Sequence, residues 1–136
     1  MAFIKVALDA KEPEVAPDGE YELRIVKCEE KKTGQSSKKP GEPYVSVMIV
    51  IEEPGAEYLP IWHTLMIPTK NTDEDNIPRY KLGIQRFLQC FNIPGDADGF
   101  DTDDFAGATG KSNVVQTEND QTGEPRNELR LPRLSE

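Results

Sequence analysis

Histidine is nearly missing from this chain. One histidine, His63, stands among 136 residues, together with one tryptophan and two cysteines. So little imidazole and thiol excludes a histidine-rich metal centre, and no serine or cysteine has a sequence context that marks an activated nucleophile. Enzyme is the weakest functional class, and neither catalytic residues nor a cofactor are expected. Cys28 and Cys90 lie far apart, in a predicted strand and a predicted helix, which is not the spacing of a disulfide scaffold or zinc site. A reducing compartment is the simpler expectation. Long apolar runs are also missing: the longest, Val47 to Ile51, falls far short of the roughly 20 residues that span a bilayer. Met1 to Ala10 carries one lysine and only a brief apolar stretch, unlike a secretion signal. A cytoplasmic, soluble protein with no membrane partner is expected.

Positive charge is the minority sign, with 16 Lys and Arg against 25 Asp and Glu and a formal net charge of -9. Such a total opposes indiscriminate coating of duplex DNA, which depends on neutralising phosphates. Distribution qualifies the sum. Lys31, Lys32, Lys38 and Lys39 share a window without a single acid, whereas Asp73 to Asp75 and Asp96 to Asp104 hold much of the negative charge.

The length suits one hydrophobic core, and eleven prolines with ten glycines imply many turns. Ala2 to Asp18 reads as an extended arm that ends in the turn Pro17-Asp18-Gly19. Residues 19–132 then form the domain and 133–136 a short tail. Tyr21, Leu23 and Ile25 alternate with Glu22 and Arg24, so strand 1 runs from Tyr21 to Lys27. Lys31 to Glu42 is rich in turn formers and reads as a solvent-facing lysine loop. Strand 2 covers Tyr44 to Ile51, with Val45, Val47, Ile49 and Ile51 on one face. After a turn at Pro54-Gly55, strand 3 covers Tyr58 to Ile67. Leu59, Ile61, Leu65 and Ile67 share one parity with His63; Tyr58, Trp62, Thr64 and Met66 share the other. Tyr44, Met48, Tyr58 and Trp62 are thus expected on the surface opposite the core, and His63 at the barrel edge or in the core.

Tyr80, Ile84, Phe87, Leu88 and Phe91 form a helical stripe, with Asp75, Asn76 and Pro78 at its start and Asn92 and Pro94-Gly95 at its stop. Asp101 to Phe105 adds a capped turn. Strand 4 is Lys111 to Thr117, a hairpin turns through Asn119 to Pro125, and strand 5 is about Arg126 to Leu131. Three strands, a helix and two more strands make an all-β domain with one helix. In a chain of this length that order predicts a five-stranded oligonucleotide-binding (OB) barrel, the helix lying between strands 3 and 4.

Two apparent motifs fail on spacing. Gly107 to Ser112 suggests a phosphate-binding P-loop, but Phe105 stands where the motif needs its first glycine. Aligning Gly99 with the central glycine of an EF-hand puts Pro94 first and Phe105 last, where acidic ligands are required. No metal ligands are assigned.

A lysine loop beside an aromatic surface remains. Single-stranded nucleic acid offers two sequence-independent handles, phosphate charge and flat bases. Lys31, Lys32, Lys38 and Lys39 supply cations, with Arg24 and Arg126 on strands 1 and 5, and Tyr44, Trp62 and Tyr58 supply platforms. A stacked base is worth about 1–3 kcal/mol. Four neutralised phosphates give a salt slope of about -3 on a single strand. Solvated lysines and packing aromatics are the bland alternative, under which Trp62 belongs to the core.

The chain resembles the phage-encoded OB-fold single-stranded DNA-binding and replication-accessory proteins. The likeness rests on Pro17-Asp18-Gly19-Glu20-Tyr21, Lys32-Thr33-Gly34, the strand pair Tyr44 to Ile51 and Tyr58 to Ile67, and Phe87-Leu88-Gln89-Cys90-Phe91. Phe105-Ala106-Gly107 and Glu124-Pro125-Arg126-Asn127-Glu128-Leu129 continue it, so it covers Pro17 to Leu131. The resemblance implies protection of single-stranded DNA in phage replication or recombination, in the cytoplasm of an infected bacterium, beside other replication or recombination proteins. One departure matters: Leu131 to Glu136 is not the acidic tail with which many such proteins recruit partners. The competing expectation is a protein-interaction module, a phage structural or host-inhibiting factor, on the same barrel without nucleic acid. A regulatory subunit of a nucleic-acid enzyme is a third. Open strand edges leave room for a homo-oligomer.

Overall fold

Alternating apolar residues build a continuous antiparallel sheet against one apolar core. The computed structural model describes residues 2–8, 10, 14–34, 41–53, 57–96, 98–118 and 122–134. In chain order the elements are β1 (Gly19–Lys32), β2 (Pro43–Ile51), β3 (Ile61–Met66), α1 (Ile77–Cys90), β4 (Gly95–Asp96), β5 (Gly99–Phe100), a single 3-10 turn (Thr102–Asp104), β6 (Thr109–Glu118) and β7 (Pro125–Arg130). Five strands join in the order β3-β2-β1-β6-β7, every neighbouring pair antiparallel, while β4 and β5 form a small separate ribbon. The two edge strands, β3 and β7, also approach each other, Cα to Cα within 8 Å. Among the described residues no hydrogen-bonded ladder joins them.

The five strands and the helix after the third match the expected order; their boundaries differ. β1 runs to Lys32, so Lys31 and Lys32 are strand residues instead of loop residues. Thr33 carries the pairing on by exchanging backbone bonds with Glu42 and Gly41 at 2.9 and 3.0 Å. β3 begins only at Ile61, because Pro60 has no backbone N–H for a ladder. Tyr58 and exposed Leu59 therefore lie outside the strand and do not follow its alternation. The turn expected at Pro54-Gly55 and the tip of the last hairpin fall outside the described residues.

The core is assembled from one face of each strand. Leu23 and Ile25 of β1, Val45, Val47 and Ile49 of β2, Ile61 and Leu65 of β3 and Val114 of β6 are buried together with Phe87, Phe91 and Phe105. Each such side chain contributes about 1.5–3 kcal/mol on burial. The sheet register slips by one residue between Ile25 and Lys27. This bulge reverses the alternation along the rest of β1: Cys28 turns toward the core side, its thiol 3.7 Å from the Thr102 carbonyl, and Lys27 turns outward opposite Met48.

The helix ends as its sequence expects. Asn92 takes a left-handed φ of 55°, and Ile93 N–H and Asn92 N–H bond back to the Leu88 and Gln89 carbonyls at 2.9 and 3.3 Å, a Schellman closure. At its start Asn76 occupies the N-cap without a side-chain capping bond, so the Pro78 backbone restriction is the stronger signal there. β6 packs flush on the helix end. A Cβ on Gly110 would sit 2.2 Å from the Cys90 carbonyl oxygen, so only glycine fits.

The N-terminal segment closes one end. Ala16 is fully buried; its N–H donates to Asn127 Oδ1 at 2.8 Å and its carbonyl accepts from Asn127 Nδ2 at 2.9 Å. Leu59 N–H donates to the Glu14 carbonyl at 3.0 Å. Before this anchor, Phe3, Ile4, Val6 and Leu8 are exposed.

Candidate nucleic-acid interface

The outward faces of β1, β2 and β3 define the site, and the sheet register sets its rows. Lys31, Tyr44 and Met66 align in one row, Glu29, Ser46 and Thr64 in the next, and Lys27, Met48 and Trp62 in the third. Cross-strand neighbours of this kind have their Cβ atoms about 5 Å apart. Tyr44 and Met48, four residues apart on β2, mark a span of about 13 Å at 3.3 Å per residue.

Trp62 is on the outside. Its side chain is 54% exposed, and Lys27 Nζ stands 5.9 Å from the centre of its ring. An exposed cation–π contact is worth about 0.5–1 kcal/mol, whereas a stacked base is worth about 1–3. A base can therefore displace the lysine from the ring and leave its ammonium beside the phosphate.

Two clefts flank these rows. One, about 820 Å³, opens at the loop end of the β1–β2 hairpin, where Lys31, Lys32 and Tyr44 face Phe100 and Asp101 of the β4–β5 region. The other, about 490 Å³, follows the seam between β3 and β7 and is lined by Trp62, Thr64, Arg126 and Glu128. The structure thus gathers Lys31, Lys32 and Tyr44 at one cleft and Trp62 and Arg126 at the other. Lys38 and Lys39 lie outside the described residues. Tyr58 is not on this face: it is half-buried, its ring 6.1 Å from that of Tyr21 in an edge-on pair. Arg24 faces outward at the far end of β1 and pairs with Glu52. Lys31 pairs with Glu29 at 3.4 Å and Arg126 with Glu128 at 2.8 Å. Exposed pairs of this kind contribute only about 0.2–1 kcal/mol each, so a phosphate competes readily for the cations.

Lys27, Met48 and Phe100 join the site without having been singled out by the sequence as binding residues. The bulge hides Lys27: strict alternation from Tyr21, Leu23 and Ile25 puts it on the core side.

The chemistry elsewhere is quiet. Burial raises the thiols of Cys28 and Cys90 above the ordinary cysteine value, the reverse of what a nucleophile needs. His63 stacks on Phe87 with ring centres 5.3 Å apart and planes 4° from parallel. Burial lowers its pKa, opposed in part by the Glu128 carboxylate. Because the unfolded chain binds the proton more readily, this group's contribution to stability is full above the ordinary histidine pKa of about 6.5 and is lost as pH falls toward the lowered folded value. Urea unfolding at pH 7.5 and 5.5 should show a smaller loss on acidification for His63→Phe than for the wild type; equal losses would contradict this.

No family model matches the chain, and no curated protein matches it. Among the described residues, no helix is long and apolar enough to cross a membrane, and no group of three or more His, Cys, Asp or Glu side chains is placed to hold a metal ion.

Proposed function

We propose that this protein binds single-stranded DNA without sequence preference, on an OB-type barrel whose edge strands approach each other at the β3–β7 seam, as in phage replication or recombination. One observation carries the reading: Trp62 is exposed on the outer sheet face, with Lys27 over its ring and Tyr44 with Lys31 two rows away on the same face. Aromatic platforms beside cations are what a generic single-strand binder requires. The sheet order supports the barrel, since β1 lies between β2 and β6 and the two edge strands meet in space. No catalytic step is assigned.

Anisotropy of a labelled oligothymidine tests the proposal. Tight binding at low salt, a slope of log K against log salt near -3 for about four phosphates, and weak binding of duplex of equal length are expected. Equal affinity for duplex, or none for the single strand, would overturn it.

Exposed Phe3, Ile4, Val6 and Leu8 favour a second reading, a protein-interaction module without nucleic acid. Under it, oligothymidine leaves the protein unaffected and deletion of the arm abolishes association with the partner.

A further inference from the structure

A third cleft lies on the helix side of β3. About 420 Å³ in volume, it is bounded by β3, α1 and β7 and lined by Arg79, Arg86 and Arg130 without any carboxylate residue. That grouping stands against the composition. In a chain of net charge -9, α1 carries Arg79, Lys81 and Arg86 and no acid at all.

Among the described residues, none of the three guanidiniums forms an ion pair, although Arg24 and Arg126 both do. Arg86 Nε is buried with no hydrogen-bond partner. A buried, unsatisfied donor on a charged group is costly, and an acceptor entering the cleft would relieve that cost. The nearest acid along β7, Glu128, lines the neighbouring cleft and is held by Arg126 at 2.8 Å. Guanidinium matches phosphate oxygens through its planar fork, so clustered arginines fit a phosphate better than a solvated salt ion.

Position identifies the source of the phosphate. The arginine cleft and the Trp62 cleft share His63, Thr64 and Leu129 as wall residues, so they adjoin at the β3–β7 seam. We propose that Arg79, Arg86 and Arg130 hold the backbone phosphates of the same single strand whose base stacks on Trp62, carrying the strand around the seam onto the helix side. This rests on the single-stranded DNA reading above. It adds a direction to it: the strand leaves the sheet face past β3.

The test compares wild-type protein with the triple variant Arg79→Gln, Arg86→Gln, Arg130→Gln, using oligothymidines of about 4 and about 16 nucleotides, the range of site sizes for one OB fold. Three lost phosphate contacts should flatten the salt slope of the longer oligomer by about 2, with little change for the shorter one. Arg79→Gln with Arg130→Gln, both exposed positions, should give about two thirds of that change, one phosphate contact counting equally with another, and covers the case in which loss of Arg86 unfolds the chain. An unchanged slope in a folded variant, with wild-type binding intact, overturns the arginine track and leaves the stacking reading standing. Failure of the wild type to bind either oligomer overturns both. Inorganic pyrophosphate titrated without DNA separates the two sources of phosphate: tight binding that the triple variant loses, together with an unchanged salt slope for the long oligomer, means that the cleft serves a free phosphate, and the proposal fails.

Discussion

Trp62→Ala should weaken binding of oligothymidine by about 5- to 150-fold and leave the fold intact. The range converts one stacked base at about 1–3 kcal/mol with 1.36 kcal/mol per factor of ten. The fold should survive because Trp62 projects from the outer face, opposite the layer formed by Ile61 and Leu65, and is 54% exposed. Its contact with Lys27 is an exposed one, and surface substitutions of this sort stay within about 0.5 kcal/mol. Trp62→Phe keeps a flat ring and should recover most of the affinity. Binding that survives Trp62→Ala unchanged would remove the stacking platform from the site. A large fall in the urea midpoint would instead make Trp62 a structural residue.

The second large effect is on stability. Phe87→Ala should cost about 3–5 kcal/mol, a large share of the roughly 5–15 kcal/mol that holds a domain of this kind. Phe87 is fully buried and joins the helix to everything around it: its ring centre lies 4.8 Å from Phe91, 5.5 Å from Phe105 and 5.3 Å from His63. Alanine there leaves a cavity bordered by the helix, β3 and the turn before β6. The urea midpoint should fall sharply with an unchanged denaturant slope. A loss below about 1 kcal/mol would mean that the helix is not the main plug of the core, against the burial that defines it.

Phe87 is legible in the chain because a helical stripe and a buried aromatic are the same pattern seen in one and in three dimensions. The strand faces are legible for the same reason. Val45, Val47 and Ile49 alternate with Tyr44, Ser46 and Met48, and the sheet buries the first set. Trp62 follows from its parity with Thr64 and Met66. Where the backbone departs from strict alternation, the sequence misleads. The slip after Ile25 turns Lys27 from the inward position that strict alternation gives it to the outer sheet face, and a bulge leaves no mark in an apolar–polar pattern. Pro60 reads as an edge or bulge proline, yet it delays β3 to Ile61, which detaches Tyr58 and sends it to Tyr21.

The arginine cleft escapes a sequence reading for a different reason. Arg79 and Arg86 belong to a helix and Arg130 to the last strand, far apart in the chain, and only the packing of α1 across β3 and β7 brings them together. One signal is present: α1 has three cations and no acid inside a strongly acidic chain. The lysine cluster is conspicuous because its members lie close together in the chain. Its clearest structural members, Lys31 and Lys32, end a strand at the wall of a cleft.

Intrinsic tryptophan fluorescence during titration with unlabelled oligothymidine, at low and moderate salt and with matching duplex as control, tests the central claim most directly. Trp62 is the only tryptophan, so the signal reports on the proposed platform alone. Saturable quenching by the single strand that weakens with salt, and little response to duplex, is the predicted result. An unchanged spectrum together with unchanged oligonucleotide mobility would contradict DNA binding on this face.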